Sequence, residues 1–173
     1  MAQRDLWKSN RRIYHITELI INEALSATVH PELAEVFGVV QNFRMTLMND
    51  SKHDFKLAVL DKRTSCFGMV IACNKWIVKD AVVQCMEEMR FLARARNIDE
   101  IWGIANDLYS WQFIHYSRQD ELMGKKDFYT MSAVFPCYVK DNQYTYADKD
   151  MKLVIAMLRA VLKSCLKQQK EYV

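Results

Sequence analysis

The hydrophobic period of this chain changes twice, and the order of those changes restricts its fold more than any other feature. From Ile13 to Thr28 apolar residues recur at helical spacing (Ile13, Ile16, Ile20, Ala24, Ala27), and Pro31 ends the run. The period then drops to two. Val36 to Met48, the stretch around Phe55, Leu57 and Val59, and the near-continuous apolar run Cys66 to Cys73 predict three strands, the third buried on both faces. They are separated by the turns Asn49-Asp50-Ser51-Lys52 and Asp61-Lys62-Arg63-Thr64.

Helical spacing returns from Ile77 to Arg96, with Ala81, Val82, Cys85, Met89 and Leu92 on the apolar side and Glu87, Arg90 and Arg94 on the wet side. Ile98 to Ile104 and Trp111 to Tyr116 read as short strands around Asn106-Asp107, and Phe128 to Val139 as a strand whose Pro136 marks a sheet edge. Asp148 to Gln169 is the clearest helix, with Leu153, Val154, Met157, Leu158, Val161, Leu162 and Cys165 along one side. The order α-β-β-β-α-β-β-β-α predicts a mixed α/β (α+β) class, a central sheet flanked by helices.

With 173 residues there is room for one core, and 51% hydrophobic against 26% charged residues is a globular balance. Four glycines and two prolines leave little scope for long irregular loops. A net charge of +3 argues for nucleic acid or membrane only where cations are concentrated locally. That occurs at Arg4, Lys8, Arg11 and Arg12, a basic N-terminal extension over 1–12 before a single domain over 13–173, and along the last helix. Five cysteines without a C-x-x-C pair predict reduced thiols and an intracellular setting. No secretion signal or membrane span is readable, so the expectation is no membrane. His15, His30, His53 and His115 lack ligand spacing, and no G-x-S-x-G elbow or glycine-rich phosphate loop occurs.

One constellation carries chemistry. Asp54 opens a strand, the buried strand ends Cys73-Asn74-Lys75, and Gln84 follows nine positions after Lys75 on a helix. Together with Ile101-Trp102-Gly103-Ile104 and Trp111-Gln112-Phe113, over roughly Thr17 to Tyr138, this resembles the PD-(D/E)XK (restriction endonuclease-like) nuclease superfamily, which includes domains of Crinkler-type effectors. The resemblance implies a restriction endonuclease-like central mixed sheet and a nuclease site in which Asp54, Lys75 and Gln84 are catalytic. It also implies Mg or Mn where cleavage is retained, held by Asp54; a further ligand is expected from Glu23, which shares a helix face with Ile16 and Ile20 and so would point toward the sheet, with Glu18 the less well-placed rival.

In such a site carboxylates at adjacent strand ends hold a divalent cation that activates water, and a lysine supports the developing charge. Position 73 departs from the pattern, because a thiol is a soft ligand that cannot replace a carboxylate on magnesium. Each residue also has a plainer role: strand entry for Asp54, a small buried hydrophobe for Cys73, solvated surface for Lys75, Gln84 and Glu23.

Lys152, Arg159, Lys163, Lys167 and Lys170 form one basic stripe that suits phosphates, or equally a solvated helix face near its C-terminal dipole. Trp102, Trp111, Phe113 and Tyr116 read as core packing rather than base stacking. Two functions remain open: a nuclease-like domain with weakened or lost cleavage that acts on or binds DNA or RNA, or a non-enzymatic module that binds a protein partner or forms a homodimer. The effector resemblance extends the first to action inside a host cell, including its nucleus.

Overall fold

The protein is described by a computed structural model covering residues 2–46, 52–64, 67–73, 78–107, 110–136 and 149–171, with backbone alone at 2–12, 52 and 168–171. In chain order its elements are α1 (Ala2–Ala24), α2 (Pro31–Val36), β1 (Phe37–Thr46), β2 (Lys52–Asp61), β3 (Phe67–Cys73), α3 (Val78–Arg96), β4 (Glu100–Asn106), β5 (Ser110–Glu121), β6 (Gly124–Met131), β7 (Phe135–Pro136) and α4 (Lys149–Glu171). The sheet runs β1-β2-β3-β4-β5-β6, with β7 also paired to β5. Among the described strands only β3 and β4 are parallel, aligned from Met69 opposite Trp102 to Cys73 opposite Asn106, and α3 is the crossover that a parallel pair requires.

Two apolar layers hold this sheet. Ile13, Ile20 and Ile21 of α1 and Val154, Leu158 and Leu162 of α4 pack with Leu57, Ile71, Ile104, Trp111 and Phe113 on one face. On the other, Cys85, Met89 and Leu92 of α3 pack with Val70, Ala72, Ala105, Ile114 and Tyr116. β3 feeds both layers through alternate residues, which is why its sequence is a continuous apolar run and not an alternating one.

The faces exchange along β1. Val39 packs with the α1/α4 layer and Phe43 with the α3 layer, although even spacing would put them on one side. Between them Asn42 adopts a left-handed φ of 50°, and its partner strand follows, with Leu57 on one side and Phe55 on the other. Asparagine tolerates this conformation because its short polar side chain adds little strain.

Several expectations need correction. The first helix begins at Ala2, ahead of the periodic run that starts at Ile13, and it ends at Ala24, short of Thr28. Pro31 opens α2, a helix the periodicity missed; with its φ already set and no N–H to lose, proline suits a first helical position. The strand expected over Phe128 to Val139 is two pieces, β6 starting earlier at Gly124 and β7 at Phe135–Pro136, where Ser110 lies opposite Pro136. Residues 137–139 lie outside the described residues. Leu153 is exposed, because Val154 and Leu158 already fill the contact beneath α4.

Gly103 sits where α3 comes closest to the sheet. A Cβ there would lie 2.5 Å from both Cys85 Sγ and Met89 Sδ. Gly103→Ala is therefore expected to destabilise the fold by about 1–3 kcal/mol through overpacking. Urea unfolding checks this, and an unchanged midpoint would show that the sulfurs yield freely.

Candidate functional site

Where parallel strands end, backbone groups and side chains emerge between the flanking helices, and this is where sheet proteins with crossover helices place ligands. Here Cys73 ends β3 beside Asn106 at the end of β4. α1 crosses these ends with Tyr14 and Thr17, and α3 brings Gln84 and Glu88.

Hydrogen bonds join these side chains in two sets, Thr17 with Cys73 and Asn106, and Gln84 with Glu88. The Thr17 hydroxyl is fully buried and donates to the Ile13 carbonyl at 2.8 Å, so its oxygen is left to accept. It takes an N–H from Asn106 Nδ2 at 2.8 Å and the Cys73 thiol at 3.6 Å. The Tyr14 hydroxyl lies beside the Cys73 backbone and the Gln84 side chain, and Gln84 Nε2 donates to Glu88 Oε1 at 3.0 Å. Asn106 Oδ1, on a residue only 2% exposed, has no partner among the described residues.

The electrostatics follow from burial. Desolvation pushes the Cys73 thiol up to about 12 against the lowering effect of its Thr17 bond, with the Glu88 charge adding to the rise. The thiol is thus protonated at neutral pH and serves as a donor, not as a thiolate nucleophile or ligand. Burial likewise lifts the Glu88 carboxyl to about 6, opposed by the bond from Gln84. Tyr14 is raised by burial first, and the Glu88 charge adds to the rise.

Of the residues singled out in the sequence, Cys73 and Gln84 both lie beside Tyr14. Asp54 takes another course. It is exposed near the start of β2 and accepts two bonds from Arg44 across the β1–β2 pair, Nε at 2.7 Å and Nη2 at 3.2 Å. Those bonds hold its carboxyl below the usual carboxylate range. Glu23 is exposed and does not point toward the sheet as its spacing from Ile20 suggested, since Ile20, Ile21 and Ala24 occupy the inward arc of the helix. Glu18 accepts from Gln41 Nε2. Lys75 and Asn74 lie outside the described residues.

On α4 the stripe divides. Lys152, Lys163 and Lys167 are exposed, whereas Arg159 reaches back to the end of α1, donating to the Ala24 carbonyl at 3.2 Å and the Glu23 carbonyl at 3.4 Å. Those are helix-terminal carbonyls with no intrahelical donor, so Arg159 caps α1. The side chain of Lys170 is outside the described residues. Trp111, Phe113 and Tyr116 are buried core and Trp102 packs half-buried against it, as the packing alternative expected.

Sequence reasoning missed Tyr14, Thr17, Glu88 and Asn106 as site residues. The available signal was polar residues on the inward faces of otherwise apolar helices, Thr17 between Ile13 and Ile20 and Glu88 between Cys85 and Leu92. A hard divalent cation needs clustered oxygen anions. The described donors do not fit one: a protonated thiol, a committed hydroxyl and an amide surround the β3 end, and no group of three potential metal-binding side chains occurs among the described residues.

The fold has a solved counterpart. The chain is similar to part of the type IIG restriction endonuclease BpuSI, for which a crystal structure is known, with a TM-score of 0.57, 12% identity, and coverage of 90% of this chain and 17% of that one. The likeness establishes a restriction endonuclease-like fold, and the chain spans less than a fifth of that protein's length. No protein-family model and no curated protein matches the chain.

Two measurements test these contacts. Thr17→Val keeps the shape but strands the Asn106 amide and the Cys73 thiol, and is expected to cost about 1–3 kcal/mol of stability in urea unfolding. Glu88 titrates the other way from a paired surface acid. Its folded value of about 6 lies above its ordinary 4.5, so its contribution is fully present below 4.5 and is lost as pH rises through about 6. Stability measured against Glu88→Gln should therefore fall by about 2 kcal/mol across that window. A difference that stays flat with pH would place Glu88 in water.

Proposed function

We propose that this chain binds nucleic acid on its nuclease-like scaffold and does not cleave it efficiently. The observation that carries this reading is Cys73: the residue at the β3 end is a buried, protonated donor to Thr17, in the place where the family pattern sets a metal-holding acid. The carboxyl of Asp54 is already neutralised by Arg44. With neither group offering a free anion, hydrolytic use of Mg or Mn is disfavoured, while the scaffold and its cations support a binding role.

The exposed lysines Lys152, Lys163 and Lys167 of α4 form the phosphate-facing surface in this reading, and Arg159 is excluded from it by its capping bonds. Action inside a host cell, including its nucleus, rests on the effector resemblance. No helix among the described residues is long and apolar enough to cross a membrane.

Fluorescence anisotropy with single- and double-stranded DNA and RNA, over a salt series, tests binding. Replacing the three lysines by glutamate should weaken binding on all sequences alike and reduce the salt slope by about one unit per lost contact. Incubation with Mg or Mn should leave each substrate intact. Cleavage abolished by Asp54→Ala or Lys75→Ala would replace the binding reading by an active nuclease. Cleavage gained in Cys73→Glu would show that the acid at 73 is all that the centre lacks.

A further inference from the structure

β6 is the last strand of the sheet, and nothing among the described residues pairs with its outer side. Its inner register runs from Ile114 opposite Met131 to Glu121 opposite Gly124, and Ser132 N–H extends it by donating to the Phe113 carbonyl at 2.9 Å. Antiparallel bonding alternates along a strand. Even-numbered residues of β6 therefore bond to β5, and Lys125, Asp127, Tyr129 and Met131 turn their N–H and C=O groups outward.

Such an edge is ordinarily blunted by charge. Here the charges are already taken. Lys125 Nζ is bonded to Asp99 at 2.8 and 3.0 Å, and Lys126 lies 3.6 Å from Glu121 with its ammonium 5.6 Å from the centre of the Phe128 ring. Asp127 accepts from Arg94 at 3.1 Å and from the Tyr116 hydroxyl at 2.6 Å. Four large exposed apolar side chains, Leu122, Met123, Met131 and Val134, sit on this hairpin and the segment after it.

We propose that β6 pairs antiparallel with β6 of a second copy of this chain, extending the sheet across a two-fold axis at Phe128. An axis normal to the sheet leaves every side chain on its own face, so residues of equal parity must lie opposite one another. Centring on Lys126 or Asp127 would set like charges face to face, which destabilises a strand pair. Centring on Phe128 sets ring against ring, Lys126 opposite Thr130, Lys125 opposite Met131 and Asp127 opposite Tyr129. Phe128 and its mate then form a non-hydrogen-bonded pair, in which side chains approach more closely, and Lys126 borders each ring. A partner with a different edge sequence would lack this self-match, which is why a second copy fits best.

Light scattering after size exclusion, over rising concentration of the full chain, reads the assembly directly. The mass is expected to climb toward twice 20.4 kDa. Thr130 is exposed and faces Lys126 across the axis, so Thr130→Glu should shift the equilibrium toward dimer and Thr130→Lys toward monomer. Opposite signs at one exposed position separate pairing from a change in the fold. Phe128→Asp and Phe128→Lys should each be monomeric alone and dimerise when mixed. A mass that stays monomeric at every soluble concentration, or Thr130 variants that move it in the same direction, would overturn the proposal. Should the Phe128 variants lose their circular dichroism signal, the Thr130 pair decides.

Discussion

Burial of β3 on both faces is the constraint on which the rest of this structure depends. A strand sealed between α1/α4 and α3 can release no polar side chain into water, so its interior residues from Gly68 to Ala72 are small or apolar. Hydrophobic contact on two sides explains its stability. The same seal governs its end, because the first hydrogen-bonding side chain after the apolar run, Cys73, must find a partner inside the protein. Thr17 supplies it, and Asn106 of the neighbouring parallel strand joins through the same oxygen.

That arrangement redirects the chemistry of the β3 end. A carboxylate at position 73 would carry a charge into this seal and would need a cation or several donors to offset its desolvation. A thiol needs neither. Burial keeps it protonated, and the site around it is neutral except for Glu88, whose single described donor is Gln84. The remaining buried carboxylates among the described residues are occupied in turns: Asp61 is held by Arg63, and Asp107 accepts from Ser110. The polar resources of the core thus serve cohesion between α1, β3 and β4.

The outer surface is organised by a second kind of accounting, in which cations close what helices and strands leave open. Arg159 occupies the terminal carbonyls of α1, and Arg44 occupies Asp54. A guanidinium suits both tasks because its planar fork can meet two acceptors at once. Lys152, Lys163 and Lys167 of α4, with no such geometry to satisfy, are left in solvent.

Apart from α2 and the division of the last strand into β6 and β7, the order of helices and strands was legible from the sequence because periods of 3.6 and two are set by local geometry, and the double burial of β3 was legible from an unbroken apolar run. Cys73 and Gln84 were singled out by the family resemblance of their motif. Tyr14, Thr17, Glu88 and Asn106 were not, since a polar residue on an apolar helix face gives no sign of its partner on another element. Nor could sequence show that Asn42 would exchange the faces of β1 or that Arg159 would turn from the basic stripe to α1. Asp54 shows the division most plainly. Its residue type and its strand position were determined by sequence alone. That its charge would be met by Arg44 ten residues earlier was decided by the register of β1 against β2, which sets Arg44 directly opposite Asp54. Local periodicity follows from neighbouring residues, whereas charge pairing and burial follow from which strands and helices come to lie together.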